Sequence, residues 1–276
     1  FDAVSLYPSA MKRLKIELGG YLIGKPKILE KLCYNFIKEQ DGYFIEIKIK
    51  NVHIFRDFPL TSYIDNTSGV RNFTNDMIGK IIYVDKISLE DLIKFHGIEF
   101  EIIRGYYYNE GRNDKIGEEI ENIFNERLKL KKEENPAEIV YKLLMNSSYG
   151  KTILNPITEE IISITTNEKD GKAINQVEKY VAKNFKEVIN YEKINDDHYF
   201  IKRHKSLLEH FSRPHIGVEI LSMSKRIMNE VMCTAEDNNI KIYYTDTDSM
   251  HILKSDVDKL EKIFNKKYNR ELIGKN

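Results

Sequence analysis

Polar and apolar positions alternate most strictly over residues 43–50, Tyr-Phe-Ile-Glu-Ile-Lys-Ile-Lys. Ile45, Ile47 and Ile49 fall on one face and Glu46, Lys48 and Lys50 on the other, the period of a half-buried antiparallel strand. Elsewhere the period is helical. Ile116, Ile120, Ile123, Phe124 and Leu128 predict an amphipathic helix over 114–132, and Ile216, Ile220, Met223, Ile227 and Val231 predict another over 214–238. Between them, Asn135-Pro136 ends one helix and starts the next, with Asn135 as N-cap, Glu138 three residues on and Gly150 at the end. Shorter helices are expected over 88–95, opened by Ser88-x-x-Asp91, over 173–188, and from 256 to 268. A strand is expected over 198–202, and Ile81-Ile82-Tyr83-Val84 forms a short apolar run. Pro8 predicts a sharp change of direction at Tyr7, with Ser9 capping a short helix through Met11 and Leu14. Near the other end, β-prone residues Ile240, Ile242, Tyr243 and Tyr244 lead into a polar turn, and Met250, Ile252 and Leu253 lead out, which predicts a β-hairpin.

Composition narrows the class. A chain of 276 residues with 41% hydrophobic and 31% charged content has the material for a substantial core. No apolar run is long enough to cross a bilayer, so no membrane partner is expected. Cys33 and Cys233 alone imply neither a disulfide framework nor a zinc cluster, and the seven histidines show no paired ligand spacing. The 43 basic and 43 acidic residues cancel, so any nucleic-acid contact must use a local basic surface. The sequence opens on Phe1 and stops at Gly274-Lys275-Asn276, and a fragment of a longer protein is expected.

Chemistry concentrates at the hairpin. Asp246 and Asp248, two positions apart on an extended segment, could face one point, and like charges so placed call for a cation between them. Mg²⁺ suits carboxylate oxygens and takes its remaining ligands from water and phosphate. An Asp-x-Asp pair also fits a plain polar turn, or a metal-dependent sugar transferase holding a nucleotide diphosphate. Asp2, in an apolar segment, matters if it meets that pair. Arg127 and Lys131 lie one helical turn apart, and Lys142, Asn146 and Tyr149 share a face of the following helix. Two antiparallel helices could thus offer three cations to one anion. Lys225 and Arg226 are open between a phosphate-backbone contact and plain surface placement, and Tyr106-Tyr107-Tyr108 between base stacking and strand packing.

Three stretches resemble, in order, the motifs of family B DNA polymerases. Asp2-Ala3-Val4-Ser5-Leu6-Tyr7-Pro8-Ser9 is similar to Asp-x-x-Ser-Leu-Tyr-Pro-Ser, Lys142 to Gly150 to Lys-x-x-x-Asn-Ser-x-Tyr-Gly, and Tyr244 to Ser249 to Tyr-x-Asp-Thr-Asp-Ser. The long spacer between the first two resembles the protein-primed branch of phage, adenovirus, linear-plasmid and transposon-borne enzymes. The resemblance implies an α+β fold: a palm with antiparallel sheet and flanking helices, two-helix fingers and an inserted subdomain like a terminal-protein region. Its expected boundaries are palm 1–52, insertion 53–112, fingers 113–150, a connecting segment or second insertion 151–213, and palm again 214–276. The exonuclease region would lie upstream, and the Lys-x-Tyr motif and thumb downstream.

The same resemblance implies roles. Asp2, Asp246 and Asp248 would be the catalytic acids. Asp2, the Ala3 carbonyl and Asp248 would hold two Mg²⁺ ions, with Mn²⁺ able to substitute. Ser5, Leu6, Tyr7, Arg127, Lys131, Lys142, Asn146 and Tyr149 would bind the incoming nucleotide, Tyr7 as the gate against a ribose 2′-hydroxyl. Ser147, Gly150, Lys151 and Thr247 would meet DNA. The implied activity is templated addition of deoxynucleotides to a primer 3′-hydroxyl, with primer–template DNA, deoxynucleoside triphosphates and a terminal protein as partners. The alternative is a non-catalytic nucleic-acid-binding remnant of such an enzyme.

Overall fold

The computed structural model describes residues 1–3, 5–65, 67–155, 158–165, 173–205 and 212–273. In chain order the elements are α1 (Leu6–Leu18), β1 (Tyr21–Leu22), β2 (Lys27–Ile28), α2 (Tyr34–Ile37), β3 (Gly42–Val52), β4 (Ser62–Ile64), β5 (Arg71–Phe73), β6 (Ile81–Asp85) and α3 (Lys86–His96). Next come β7 (Ile98–Tyr108), β8 (Arg112–Asn113), α4 (Lys115–Lys132), α5 (Glu138–Thr152), β9 (Glu159–Thr165), α6 (Ala173–Asn184), β10 (Val188–Asn195) and β11 (His198–His204). The chain ends with α7 (Pro214–Asp237), β12 (Tyr244–Asp246), β13 (Ser249–His251), a 3₁₀ turn at Lys254–Asp256 and α8 (Val257–Tyr268). Residues 1–150 with 215–276 form one compact unit, and 151–214 a second.

The second unit is an antiparallel sheet ordered β10-β11-β9 with α6, cored by Ala173, Val177, Tyr199 and Ile201. Strands β9 and β10 carry little sequence signal because neither alternates cleanly: Ile161 in β9 and Ile189 and Tyr191 in β10 are exposed apolar residues. The helix expected to reach 188 stops at Asn184, and β10 starts at Val188.

In the first unit an antiparallel sheet ordered β2-β7-β3-β6 packs one face on α3. The alternation read over 43–50 extends to Gly42–Val52, and Ile45, Ile47 and Ile49 are buried. Glu46 is nearly buried as well, since its outward face is covered by Arg104 of β7. Gly105 lets β7 lie close: a Cβ there would stand 2.5 Å from the Phe44 carbonyl oxygen. The boundary expected at residue 52 falls at the end of β3, whose partners β6 and β7 both lie beyond it, so this sheet draws strands from both sides.

Three helix starts differ from expectation. α1 begins at Leu6 and includes Tyr7 and Pro8, because a proline within the first turn has no amide hydrogen to lose. Its N-cap is Ser5, in the left-handed region at φ 51°, and Ser9 lies inside the helix. The capping box of α3 is Asp85 with Ser88, one turn ahead of the Ser88-Asp91 pair, which frees Asp91 for α7. α5 begins at Glu138, with the Asn135 side chain accepting from the Ala137 amide, and it runs through Gly150 to Thr152.

Helix α7 is the spine of the unit. Its first half packs Ile216, Ile220 and Met223 against Ala10, Met11 and Leu14 of α1, and its second half packs Val231 and Ala235 against Ile242, Met250 and α8. Its polar residues are clamped along the same length. Glu219 takes two bonds from Arg112, at 2.7 and 3.0 Å, and Glu230 accepts from Arg13 at 2.8 Å and Arg270 at 2.6 Å. Arg226, expected on the surface or on phosphate, is instead buried and donates to Asp91 at 2.7 Å and Glu90 at 2.8 Å. Breaking such a buried pair from one side leaves an uncompensated charge and costs about 3–5 kcal/mol.

Burial raises the Glu219 carboxyl from 4.5 to about 7 against the opposing pull of Arg112. The folded chain therefore holds this proton to higher pH than the unfolded chain. The resulting stability is full below about 4.5 and is lost as pH rises through about 7. Urea midpoints of the native chain should accordingly fall more between about pH 5 and pH 8 than those of Glu219→Gln. Equal slopes would show that Glu219 is ionised throughout.

Candidate active site

The site is built by a ladder that closes the chain on itself. Phe1 donates its amino group to the Met250 carbonyl at 2.9 Å, Met250 donates its amide to the Phe1 carbonyl at 2.9 Å, and the Ala3 amide donates to the Asp248 carbonyl at 2.8 Å. These bonds flank the bridge Asp2–Ser249, making it a non-hydrogen-bonded pair, the type whose side chains approach most closely, with Cα atoms about 4.5 Å apart. Ser249 also pairs with Asp246 across the hairpin. Register thus places Asp2, Ser249 and Asp246 in a row on one face, the outer two about 10 Å apart across two strand spacings. Phe1 helps hold this edge by packing on the Val231–Met250 core.

Asp248 is positioned differently from expectation. It does not continue a strand from Asp246; it is the second residue of a two-residue turn whose first, Thr247, has φ 33°. The two-residue alternation of extended backbone therefore does not apply between the two acids. What joins Asp248 to Asp2 is the backbone bond to Ala3. A β-branched residue at positive φ costs on the order of 1–3 kcal/mol, and Ser5, on the other side of the ladder, is also left-handed. Thr247 hydroxyl donates to Asp246 Oδ1 at 3.1 Å, which ties its side chain into the turn rather than toward a partner outside it.

Asp2 and Asp246 are exposed and Asp248 half-buried. Among the described residues no group of three His, Cys, Asp or Glu gathers into a metal cage. Carboxylates such as Asp2 and Asp248, at least partly exposed, are the hard-oxygen donors favoured by an ion that shares its coordination with a phosphate. The residues fit Mg²⁺ in that sense. Val4 lies outside the described residues.

The next contacts run from the first motif to the two helices. Tyr7 stacks on Tyr149 of α5, centroids 4.3 Å apart and rings 11° from parallel. Burial, and then Tyr7, hold the Tyr149 phenol above its usual pKa. Arg127 of α4 donates to Ser5 Oγ at 2.7 Å and to Glu138 Oε2 at 3.0 Å. Of the three expected cations, Arg127 is thus drawn in, while Lys131 and Lys142 are exposed and in no ion pair among the described residues. Glu138 is the residue sequence reading missed: it entered only as a helix-start residue. Its position one turn before Lys142 on the same helix was the available signal.

The remaining expected residues separate. Leu6 is buried, so its side chain belongs to the core. Asn146 is exposed, and Ser147 is exposed with its hydroxyl donating back to the Leu144 carbonyl at 3.0 Å. Gly150 has open space where a Cβ would stand. Lys151 is exposed at the start of the second unit.

A family model of DNA polymerase type B, organellar and viral, matches residues 1–239. The chain belongs to this family. That match ends just before the Asp-Thr-Asp hairpin. A Neurospora intermedia protein named "Probable DNA polymerase" is 30% identical over 270 residues, covering 94% of this chain and 25% of its own length. One of the same name from Ascobolus immersus is 26% identical over 269 residues, covering 94% of this chain and 20% of its own. The chain therefore spans about a quarter of the curated relatives it matches. Over 32 residues, 12% of the chain, it is 69% identical to a DNA polymerase of Acidianus bottle-shaped virus. Phi29 DNA polymerase, in its orthorhombic crystal form, superposes with a TM-score of 0.51 at 18% identity, covering 95% of this chain and 39% of that one. Its complex with primer–template DNA and incoming nucleotides gives the same TM-score and identity over 91% of this chain and 38% of that one. This member of the type B family therefore shares a mixed α+β architecture with phi29 polymerase. Among the described residues no helix is long and apolar enough to cross a membrane.

Proposed function

We propose that this chain is the palm and fingers of a DNA-templated DNA polymerase that extends a primer 3′-hydroxyl, with a terminal protein supplying that hydroxyl at initiation. The observation that carries the reading is the ladder that sets Asp2 beside the Asp-Thr-Asp turn, its outer bond joining Phe1 to Met250 across 249 positions of sequence. Nothing in a plain polar turn requires that partner, and a non-catalytic remnant would not need two strained residues kept beside it.

Asp2, Asp248 and the Ala3 carbonyl would hold two Mg²⁺ ions. When bound, these would supply Lewis-acid charge to the primer oxygen and to the triphosphate. The chain's own residues position and neutralise. Lys131 and Lys142, exposed on successive helices, would meet the triphosphate oxygens, where phosphoryl transfer gathers negative charge. Arg127 would join them by leaving Glu138. The Tyr7–Tyr149 stack would floor the nascent base pair, with the Tyr7 ring set against a 2′-hydroxyl. Asn146 would aid the lysines at the incoming nucleotide, and Ser147 and Lys151 would position the template strand without reading its sequence. Residues 53–112 would face the terminal protein.

Three outcomes test this in the full-length protein. Asp248→Asn should abolish nucleotide addition while DNA binding, read by anisotropy, stays within about twofold; unchanged incorporation refutes the metal assignment. Tyr7→Val should admit ribonucleotides at least about tenfold more readily, and undiminished discrimination means that Tyr7 is not the gate. Glu138→Gln should tighten triphosphate binding severalfold by releasing Arg127, whereas weaker binding would make Glu138 a ligand-side residue.

A further inference from the structure

Away from the acids, the first unit carries a cavity of about 740 Å³ between the outer face of the four-stranded sheet, the β4–β5 hairpin and α7. Its size is that of pockets that take small organic molecules, roughly 300–1,000 Å³. Helix α7 uses two faces at once. Ile216, Ile220 and Met223 pack on α1, while Val218, Leu221, Ser222, Lys225 and Asn229, at helical spacing, line the cavity. On the sheet side, register sets Phe44 and Tyr106 next to each other on β3 and β7, and Tyr106 is 53% exposed. The core of the sheet lies on its other face.

The polar groups of the wall are not all satisfied. Asp85, at the end of β6, is 2% exposed. Its Oδ1 accepts from the Ser88 amide at 3.1 Å and from the Ser222 hydroxyl at 2.8 Å. Its Oδ2 is buried with no hydrogen-bond partner among the described residues. Burial raises this carboxyl above its ordinary pKa, against the pull of those bonds. The neutral form carries its proton on the free oxygen, an O–H with nothing to donate to. A buried donor in that condition is costly until an acceptor meets it.

The charges left over are positive. Arg104 and Glu46 neutralise each other, and Asp91 is paired with Arg226. Arg71 donates to the Ser62 hydroxyl at 2.9 Å, and neither it nor Lys225 is in an ion pair among the described residues. Lys225 is exposed as a residue, yet the protein around its ammonium, and then the Arg71 charge, hold it below the usual lysine pKa. One anion shared by two cations that repel in this way relieves both. Aromatic rings on the sheet and aliphatic side chains on α7 give the same cavity an apolar surface for a flat ring.

We propose that this cavity binds one small planar organic anion, its ring against Phe44, Tyr106 and Leu221 and its carboxylate or phosphate on Arg71 and Lys225. A carbonyl or hydroxyl oxygen on the ring accepts from Asp85. The site uses none of the residues assigned to metal, nucleotide or template, so it holds or fails apart from the polymerase reading.

The test is calorimetry on the whole chain with 2-naphthoate and 2-naphthyl phosphate, in EDTA so that no metal bridges a phosphate to the acidic turn. One equivalent of at least one of them should bind, with a dissociation constant on the order of 1 mM or tighter. The tighter of the two identifies the head group as carboxylate or phosphate. Neutral 2-naphthylmethanol should bind about tenfold more weakly or worse, as should either anion on the chain carrying Arg71→Gln with Lys225→Gln. Val218→Trp, which sets a bulky ring at the cavity wall, should abolish binding. Val218 is 37% exposed, so this variant leaves the core intact, and thermal melts matching the native chain confirm folding. An oligothymidine of about 20 nucleotides should leave the bound anion in place. Equal binding of the neutral analogue, undiminished binding in either variant, displacement by the oligonucleotide, or no binding of either anion would each overturn the proposal.

Discussion

Three backbone hydrogen bonds decide whether this chain has a site at all. The hairpin turn brings Asp246 and Asp248 together locally, but Asp2 arrives only because residues 1–3 lie antiparallel to β13. Loop closure over such a separation costs entropy that two or three ladder bonds, each worth about 0.5–1.5 kcal/mol net, do not repay. The repayment comes from packing around them. Phe1 is seated on the hydrophobic cluster of α7, α8 and the hairpin, and α1, which follows directly, is seated on the other half of α7. The acids converge because both of their flanking elements dock on one helix.

That dependence explains the density of buried ion pairs on α7. Apolar packing alone lets a helix slide or rotate at modest cost, whereas a guanidinium fork on a buried carboxylate tolerates little displacement. Arg13–Glu230 fixes α1, Arg112–Glu219 fixes the strand before α4, and Arg226–Asp91 fixes α3. Such pairs add little net stability relative to apolar residues, but they select one register. Here the register matters: α1 carries Tyr7, and the helix it docks against leads straight into the acidic turn. Helix α5 is held more lightly. α5 buries Met145 alone along its length; Tyr149 stacks on Tyr7, and Glu138 reaches Ser5 through Arg127 of α4. An element with so little buried surface is free to move on a ligand's binding energy.

Much of this was legible in the residues. Helices α4 and α7, strand β3 and the acidic hairpin all follow from period, since each has one buried face or a sharp turn signal. The ordered motifs identified the family because three short, chemically constrained stretches agreed. What stayed hidden depends on tertiary partners. Arg226 looks like a surface cation until Asp91 is known to lie across from it, and Ser88-Asp91 looks like a cap until Asp85 supplies the cap instead. Pro8 reads as a break because sequence does not reveal that Ser5, not Ser9, starts the helix. β9 and β10 are strands because β11 lies between them, not because their own patterns demand it. The i, i+2 rule failed at Asp246 and Asp248 because the chain reverses between them.

The central claim is that Asp2 and Asp248 act as one ligand set. Mn²⁺ binding in the presence of a deoxynucleoside triphosphate, read by electron paramagnetic resonance, measures it directly through a double-mutant cycle. Asp2→Asn and Asp248→Asn should each weaken the ion nearly as much as the two together, the signature of shared coordination. Additive losses, or an ion whose affinity is indifferent to Asp2, would mean that the ladder joins two segments but not one metal site.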